Sequence, residues 1–394
     1  MYVSDQNALQ ELIALLRGAE FVTLDTEFMR ERTYFARLCL VQLATDDVEA
    51  IVDPLVLDDL SPLVELLADI HMTKVLHAGQ QDLEIFYRLS GTVPAPVFDT
   101  QVAATLAGFP TQVGYGALVS EIAGVRLDKS DTFTDWSRRP LSANQVEYAL
   151  NDVRYLPTVY RDLRGRLESE GRLSWLEPEF DRMADPATYE VVPEEQFRRV
   201  KRVSSLKPRQ LGVLMKLTAW RELEARRRDM PRKWVLGDES LLEIARRAPE
   251  DRESLAAIRG VADKLGKGLY PAVLQAVADG LAIPQDELPR LERKRRRPLD
   301  VDGAVDLMAA LVRLRAKEHG VATPLLASRT ELEHLAGGER DDTPLLQGWR
   351  RSIVGEELLR LLDGELALRL DEGRLVVDES PPGPGEDSPG PTDD

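Results

Sequence analysis

Two acids at the end of an apolar run are the first sign of chemistry. In Phe21-Val22-Thr23-Leu24-Asp25-Thr26-Glu27-Phe28 a strand pattern runs into Asp25 and Glu27, spaced i, i+2. Side chains alternate along a strand, so both carboxylates project from one face near its end. Like charges so placed repel unless a cation lies between them, and hard divalent cations take oxygen ligands of this kind. A third acid follows the apolar run at 74–78, where the chain turns at Gly79 into the helical pattern LHAGQQDLEIFYRL with Asp82 in its first turn. An acid there also complements the helix dipole. The fourth lies in SANQVEYALND: Ser142 and Gln145 make a capping box, and Tyr148 and Asp152, at i and i+4, share one helix face. A polar Tyr–Asp pair on a helix that must pack against a sheet asks for a reason. Asp152 as a metal ligand, with the Tyr148 hydroxyl aimed at an attacking water, supplies one.

The rest of the chain offers little competing chemistry. Its four histidines (His71, His77, His319, His334) are scattered, and no CxxC, HExxH or GxSxG occurs, which argues against zinc hydrolysis and serine-triad catalysis. His77 reads as a structural hydrogen-bonding residue. The stretch from Gly260 to Gly268 has five residues between its first two glycines and ends in Gly, so it fails as a phosphate loop and reads as a turn between helices.

These residues must be positioned by a scaffold, and the chain is long enough to build several. It has 394 residues, 43% hydrophobic and 30% charged, a composition that supports two to four packed domains. Cys39 is the single cysteine, so a disulfide framework is excluded and a reducing cytoplasm is the expected compartment. No run reaches the ~18 apolar residues of a membrane span, and the start lacks the features of a secretory signal, so neither membrane insertion nor export is expected.

Apolar runs at 20–24, 38–43, 49–52 and 74–78 alternate with amphipathic segments and predict an α/β layer structure. From about residue 206 helical periodicity takes over and an all-α region is expected. Two helical stretches echo each other at an offset of 91: Leu241, Ile244, Ala245, Leu255 and Ile258 fall opposite Leu332, Leu335, Ala336, Leu346 and Trp349. The expected organisation is an α/β domain at 1–190, a linker at 191–204, a helical domain at 205–285, a basic linker at 286–299, a second helical domain at 300–375, and a disordered acidic Pro/Gly tail at 376–394. The net charge of −17 conceals an asymmetry: residues 1–190 carry −15, 191–298 carry +9 and 299–394 carry −11. A basic middle in an acidic chain suits a polyanion-binding module, or a solvated Arg-rich surface.

The motifs together resemble the ribonuclease D family, in the tyrosine-bearing subclass of the DEDD superfamily of 3′–5′ exonucleases. LDTEFMRERTYFARLCLVQLA is similar to the first exonuclease motif, KVLHAGQQDLEIF to the second, and LDKSDTFTDWSRRPLSANQVEYALNDVRYL to the third with its lead-in. The segment LKPRQLGVLMKLTAWRELEARRRDMPRKWVLGDESLLEIARRAPEDRESLAAIRG resembles the HRDC domain, a nucleic-acid-binding accessory, and residues 300–372 a second, diverged and acidic HRDC-like module. The resemblance implies a ribonuclease H-like fold, a mixed sheet flanked by helices, followed by two all-α HRDC-like bundles. It further implies that Asp25, Glu27, Asp82 and Asp152 hold two Mg²⁺ or Mn²⁺ ions and that Tyr148 orients the attacking water. The product would be a 5′-nucleoside monophosphate, cut from the 3′ end of tRNA precursors and other 3′-tailed RNA; no protein partner is implied.

Phe28, Tyr34, Trp136 and Arg138, near the motifs, are candidates to stack on or position terminal nucleotides, with core packing the alternative for Phe28. Arg226, Arg227, Arg228, Arg232 and Lys233 are candidates to hold the RNA body through phosphates. Nothing in the residues reads a 2′-hydroxyl, so a DNA 3′–5′ exonuclease of the same superfamily is the alternative, and a non-catalytic RNA-binding scaffold is a third reading.

Overall fold

The apolar runs of the N-terminal half pair into one mixed sheet in the computed structural model, which describes residues 1–127, 134–291, 301–341 and 343–379. Its strands are β1 (Tyr2–Val3), β2 (Phe21–Met29), β3 (Arg37–Ala44), β4 (Glu49–Val52), β5 (Thr73–Leu76) and β6 (Val97–Asp99), in the order β1-β4-β3-β2-β5-β6. β2, β3 and β4 run antiparallel, whereas the β1–β4, β2–β5 and β5–β6 pairs are parallel. β1 and β6 were not expected, being too short to leave a pattern. β2 does not stop at its acids as the sequence suggested. It continues to Met29 because Asp25, Thr26 and Glu27 pair with Gln42, Val41 and Leu40, with a bulge before Phe28.

The alternation of β2 divides the helices between the two faces. Val22 and Leu24 meet Leu9 and Leu12 of α1 (Gln6–Leu16), Leu63 of α2 (Ser61–Leu67) and Leu83 of α3 (Gln80–Ser90). On the opposite face, Phe21 and Val75 join the cluster containing Ala103 of α4 (Thr100–Leu106), Leu118 of α5 (Tyr115–Ile122) and Val159 of α7 (Leu156–Ser169). α6 (Ala143–Arg154) buries Ala149 with Leu40 and Ile51 on this face. Each such aliphatic side chain contributes roughly 1.5–3 kcal/mol on burial. The expected capping box starts α6: Ser142 Oγ accepts from the Gln145 amide at 3.2 Å, and Gln145 Oε1 from the Ser142 amide at 2.7 Å.

Two helical bundles follow. The first has the long helix Pro208–Arg227 packed against Asp238–Arg247 and Tyr270–Ala282 around its own core, which includes Leu214, Leu241, Ile244 and Val273. The predicted repeat is visible: short helices start at Arg232 and Thr323, and longer ones at Asp238 and Arg329, each pair 91 residues apart. The copies differ in what they cover. Val305, Met308, Leu311, Leu332 and Val354 of the second bundle belong to the same apolar cluster as Phe21, Phe98 and Leu163 of the α/β unit. Trp175 and Trp349 stack across this junction, with ring centroids 4.9 Å apart and planes at 5°.

The C-terminal end corrects the all-α expectation. A hairpin of β7 (Leu366–Asp371) and β8 (Arg374–Glu379) closes the described chain, so residues 376–379, expected in the tail, are paired strand. The turn signal, Asp371-Glu372-Gly373 with Gly373 at φ 78°, was hidden by the charged residues around it. The remainder of the expected tail, and residues 292–299 of the expected basic linker, lie outside the described residues. Among the described residues no helix is long and apolar enough to cross a membrane.

Candidate active site

Asp25 and Glu27 stand on the face of β2 that α6 covers, and α6 brings Asp152 down onto them. One carboxylate oxygen from each of Asp25, Glu27 and Asp152 lies within 4.8 Å of the others. Asp82 arrives from the neighbouring turn. Ala78 adopts a left-handed conformation (φ 57°), and a Cβ on Gly79 would lie 2.4 Å from Leu76 Cδ2, so the passage from β5 into α3 is too tight for another residue. The Gly79 amide donates to Asp99 Oδ2 at 2.8 Å, and Asp82, in the first turn of α3, accepts a short hydrogen bond from Thr26 Oγ1. Thr26 separates Asp25 from Glu27, so the fourth acid is tethered beside the other three.

The cluster is electrostatically unfavourable by itself. Burial and repulsion from Asp82, Asp152 and Glu27 hold the Asp25 carboxyl well above its usual range. Burial, reinforced by Asp152 and Asp82, pushes Glu27 up to about 8. Burial raises Asp152 to about 7 and, against the Thr26 hydrogen bond, Asp82 to about 6. Four crowded carboxyls that resist ionisation are a donor set for hard divalent cations, which supply the missing positive charge. The residues present therefore fit a divalent metal.

Tyr148 lies one turn before Asp152 on α6 and faces the same way. Its ring rests on Trp136, with centroids 5.9 Å apart. Trp136 is buried, at 5% exposure, and backs the tyrosine instead of presenting a face for a nucleotide. Its loop is anchored by Arg139, whose guanidinium grips Asp53 (Nη2 to Oδ1 2.6 Å) and donates to the carbonyls of Trp136 and Cys39. The neighbouring Arg138 is exposed and pairs with Asp135. Residues 128–133 of the third motif's lead-in lie outside the described residues.

Phe28 is half-buried at the end of β2. Tyr34 lies in a contact between the α/β unit and the first bundle: its hydroxyl bonds Glu222, and its ring is flanked by the guanidinium groups of Arg226 and Arg232. Asp229 accepts from the Tyr34 and Phe35 amides, each at 3.0 Å. The arginine run is likewise engaged: Arg226 and Arg232 pair with Glu222, and Arg227 and Arg228 with Glu224. Sequence reasoning saw a basic face; the structure shows much of its charge neutralised by acids three, four or ten residues away. Lys233 of that set is exposed, with no carboxylate partner among the described residues.

His77 is the structural residue expected, its ring nitrogens meeting Thr100 Oγ1 at 2.9 Å and the Val113 carbonyl at 3.0 Å. Two residues beside the site were missed. Tyr115 donates to the Asn151 carbonyl at 2.9 Å and is held far above the usual phenol range by burial and by Asp152. No sequence signal marks it. Gln42, the ladder partner of Asp25, is fully buried, and neither amide atom has a partner among the described residues. A glutamine inside the apolar run Leu38–Ala44 was the available clue, since a buried amide without partners costs about 1–3 kcal/mol.

Comparison with known proteins agrees with this geometry. The profile of the 3′–5′ exonuclease family matches residues 1–168, and that of the HRDC domain residues 210–277. A ribonuclease D of Gluconacetobacter diazotrophicus is 47% identical over 93% of this chain and 94% of its own, and one of Granulibacter bethesdensis 45% identical over 95% of both. The crystal structure of Escherichia coli RNase D, described as an exoribonuclease involved in structured RNA processing, superposes with a TM-score of 0.79 at 33% identity. It covers 92% of this chain and 98% of that one.

Proposed function

The chain belongs to the ribonuclease D family of 3′–5′ exoribonucleases, and from that membership we propose that it trims the 3′ ends of tRNA precursors and other 3′-tailed RNA in the cytoplasm, using two Mg²⁺ or Mn²⁺ ions. The observation that carries the reading is the convergence of Asp25, Glu27 and Asp152 within 4.8 Å, with Asp82 tethered beside them through Thr26. The four carboxylates hold the ions, and the ions when bound supply a nucleophile at neutral pH and charge neutralisation at the scissile phosphate.

The chain's own residues do the rest. The Tyr148 hydroxyl orients the attacking water, and the Trp136 ring behind it fixes the tyrosine's position. Thr26 and the Gly79 turn hold Asp82 at the site before substrate arrives. Phe28 lies at the end of the catalytic strand and contacts the terminal nucleotide, and the exposed Arg138 reaches a nearby phosphate. The water attacks the last phosphodiester, its phosphorus–oxygen bond to the 3′ oxygen breaks, and a 5′-nucleoside monophosphate leaves.

The test is a time course on 5′-labelled RNA with an unpaired 3′ tail, and on the matching DNA, with Mg²⁺, Mn²⁺ or chelator and with Asp25→Asn. The expected result is a one-nucleotide ladder on RNA that requires metal and Asp25. A ladder on DNA alone would make this a DNA exonuclease, and tight binding without a ladder a scaffold.

A further inference from the structure

Two surface grooves meet at Lys233, next to one exposed tryptophan. The larger, about 860 Å³, runs over the first bundle and its approach segment and is lined by Lys201, Arg202, Lys233, Arg259 and Lys264. The smaller, about 480 Å³, is lined by Arg30, Thr33 and Trp234 and shares Lys233 and Asp238 with the first. Arg30 is the first residue beyond β2, three residues past Glu27, or roughly 10 Å along an extended chain. The two grooves therefore form a track that starts near the catalytic strand and ends on the helical bundle.

The charge of this track differs from that of the arginine run. Five cations of the larger groove, Lys201, Arg202, Lys233, Arg259 and Lys264, are exposed and have no carboxylate partner among the described residues. By contrast, Arg246 and Arg247 pair with Glu243 and, in the smaller groove, Arg30 pairs with Glu84, Arg221 with Asp238 and Arg232 with Glu222. Of the acids on its walls, Asp238 is held by Arg221 at 2.7 Å and Glu243 by Arg247 at 2.6 Å, leaving Glu31 and Glu239 as the acids without an ion pair among the described residues. In a chain of net charge −17, a groove so lined is a site for a polyanion. Trp234 lines the smaller groove beside the shared Lys233 with 53% of its surface exposed, an unusual position for an indole unless a flat partner covers it. The Gly260–Gly268 turn, which fails as a nucleotide loop, contributes Gly260 and Lys264 to the wall, next to Arg259.

Resting on the exoribonuclease reading, we propose that this track carries single-stranded RNA 5′ of the reacting end: the five cations take its phosphates, and Trp234 stacks on one base beside the junction. A cationic groove combined with an aromatic platform is the arrangement by which a single strand is held without sequence preference.

The experiment is anisotropy of a 5′-labelled single-stranded RNA in chelator, so that binding is read without hydrolysis. Trp234→Ala should weaken binding about tenfold, and Trp234→Phe should retain most of it. The triple variant Arg202→Ala, Lys233→Ala, Lys264→Ala should lower the slope of log K against log salt by about 2, at ~0.7 per single-strand phosphate contact. Unchanged melting temperatures establish that the variants fold. Wild-type affinity in Trp234→Ala, or an unchanged salt slope in the triple variant, would overturn the track while leaving the nuclease reading intact. Trp234-dependent binding by a wild-type protein that gives no ladder would sink the nuclease reading and keep the track.

Discussion

Removing the divalent ion should destabilise the protein more at alkaline than at acidic pH. In the metal-free protein Glu27 is raised to about 8, Asp152 to about 7 and Asp82 to about 6, with Asp25 well above its usual range, whereas unfolded carboxyls titrate near 4. The folded state therefore retains protons that the unfolded state releases as pH climbs from about 4 to about 8, and stability falls through that window and is lowest above it. At 1.36 kcal/mol per pKa unit, a displacement like that of Glu27 corresponds to about 5 kcal/mol for one group. The four are not additive, because the first proton retained relieves the others. A bound cation cancels this penalty, so Mg²⁺ or Mn²⁺ should raise the melting temperature by on the order of 10 °C at pH about 8.5 and by much less at pH about 5.5. Calorimetric titration in buffers of different ionisation enthalpy should find protons released on metal binding at pH about 6.5 and fewer at about 9. A metal-induced shift as large at pH about 5.5 as at about 8.5, or binding without proton release, would refute the reasoning.

Further expectations concern the groups around the cluster and the junctions between units. Tyr148→Phe should lower kcat on RNA by about 10²–10⁴-fold and leave the metal-induced rise in melting temperature in place. Tyr34→Ala removes the hydroxyl bonded to the buried Glu222 and the ring between Arg226 and Arg232. It should cost about 2–3 kcal/mol at the contact with the first bundle, seen as an earlier melting step and a larger radius of gyration in solution scattering. Trp349→Ala, far from the carboxylates, should lower the melting of the N-terminal α/β unit by about 2 kcal/mol, because its ring stacks on Trp175 within a shared core. An α/β unit that melts unchanged would disprove that sharing.

The site was more legible in the sequence than its surroundings. Strand alternation puts Asp25 and Glu27 on one side, and helical spacing puts Tyr148 and Asp152 on one face; both are local periodicities, written in the chain. The role of Thr26 in tethering Asp82 was not legible, because it depends on a turn whose tightness comes from contact between Gly79 and Leu76. The aromatic and basic candidates fared differently for the same reason. Tyr34 and the arginines at 226–228 have the residue types of a nucleic-acid surface, but their partners, Glu222, Glu224 and Asp229, are set by helical neighbours and by the docking of one unit on another. Composition cannot distinguish a free cation from a neutralised one. The hairpin β7–β8 was missed because helical repeats before it and a Pro/Gly-rich stretch after it masked its short alternating strands.

The two copies of the helical repeat have diverged into opposite attachments. The first closes an apolar core of its own and touches the α/β unit at Tyr34, through hydrogen bonds from its hydroxyl to Glu222 and from its amide to Asp229, and through a small apolar cluster with Ala225 and Val235. Among the described residues, the second has no core apart from the one it shares with the α/β unit. The first bundle is thus a detachable attachment, which exchange or deletion can alter while the remaining fold keeps its interior. The second is structurally a late-arriving part of the catalytic domain. The Thr105 carbonyl accepts from the Ala322 amide and Trp175 stacks on Trp349, so this side of the first domain is completed only by chain made after residue 300.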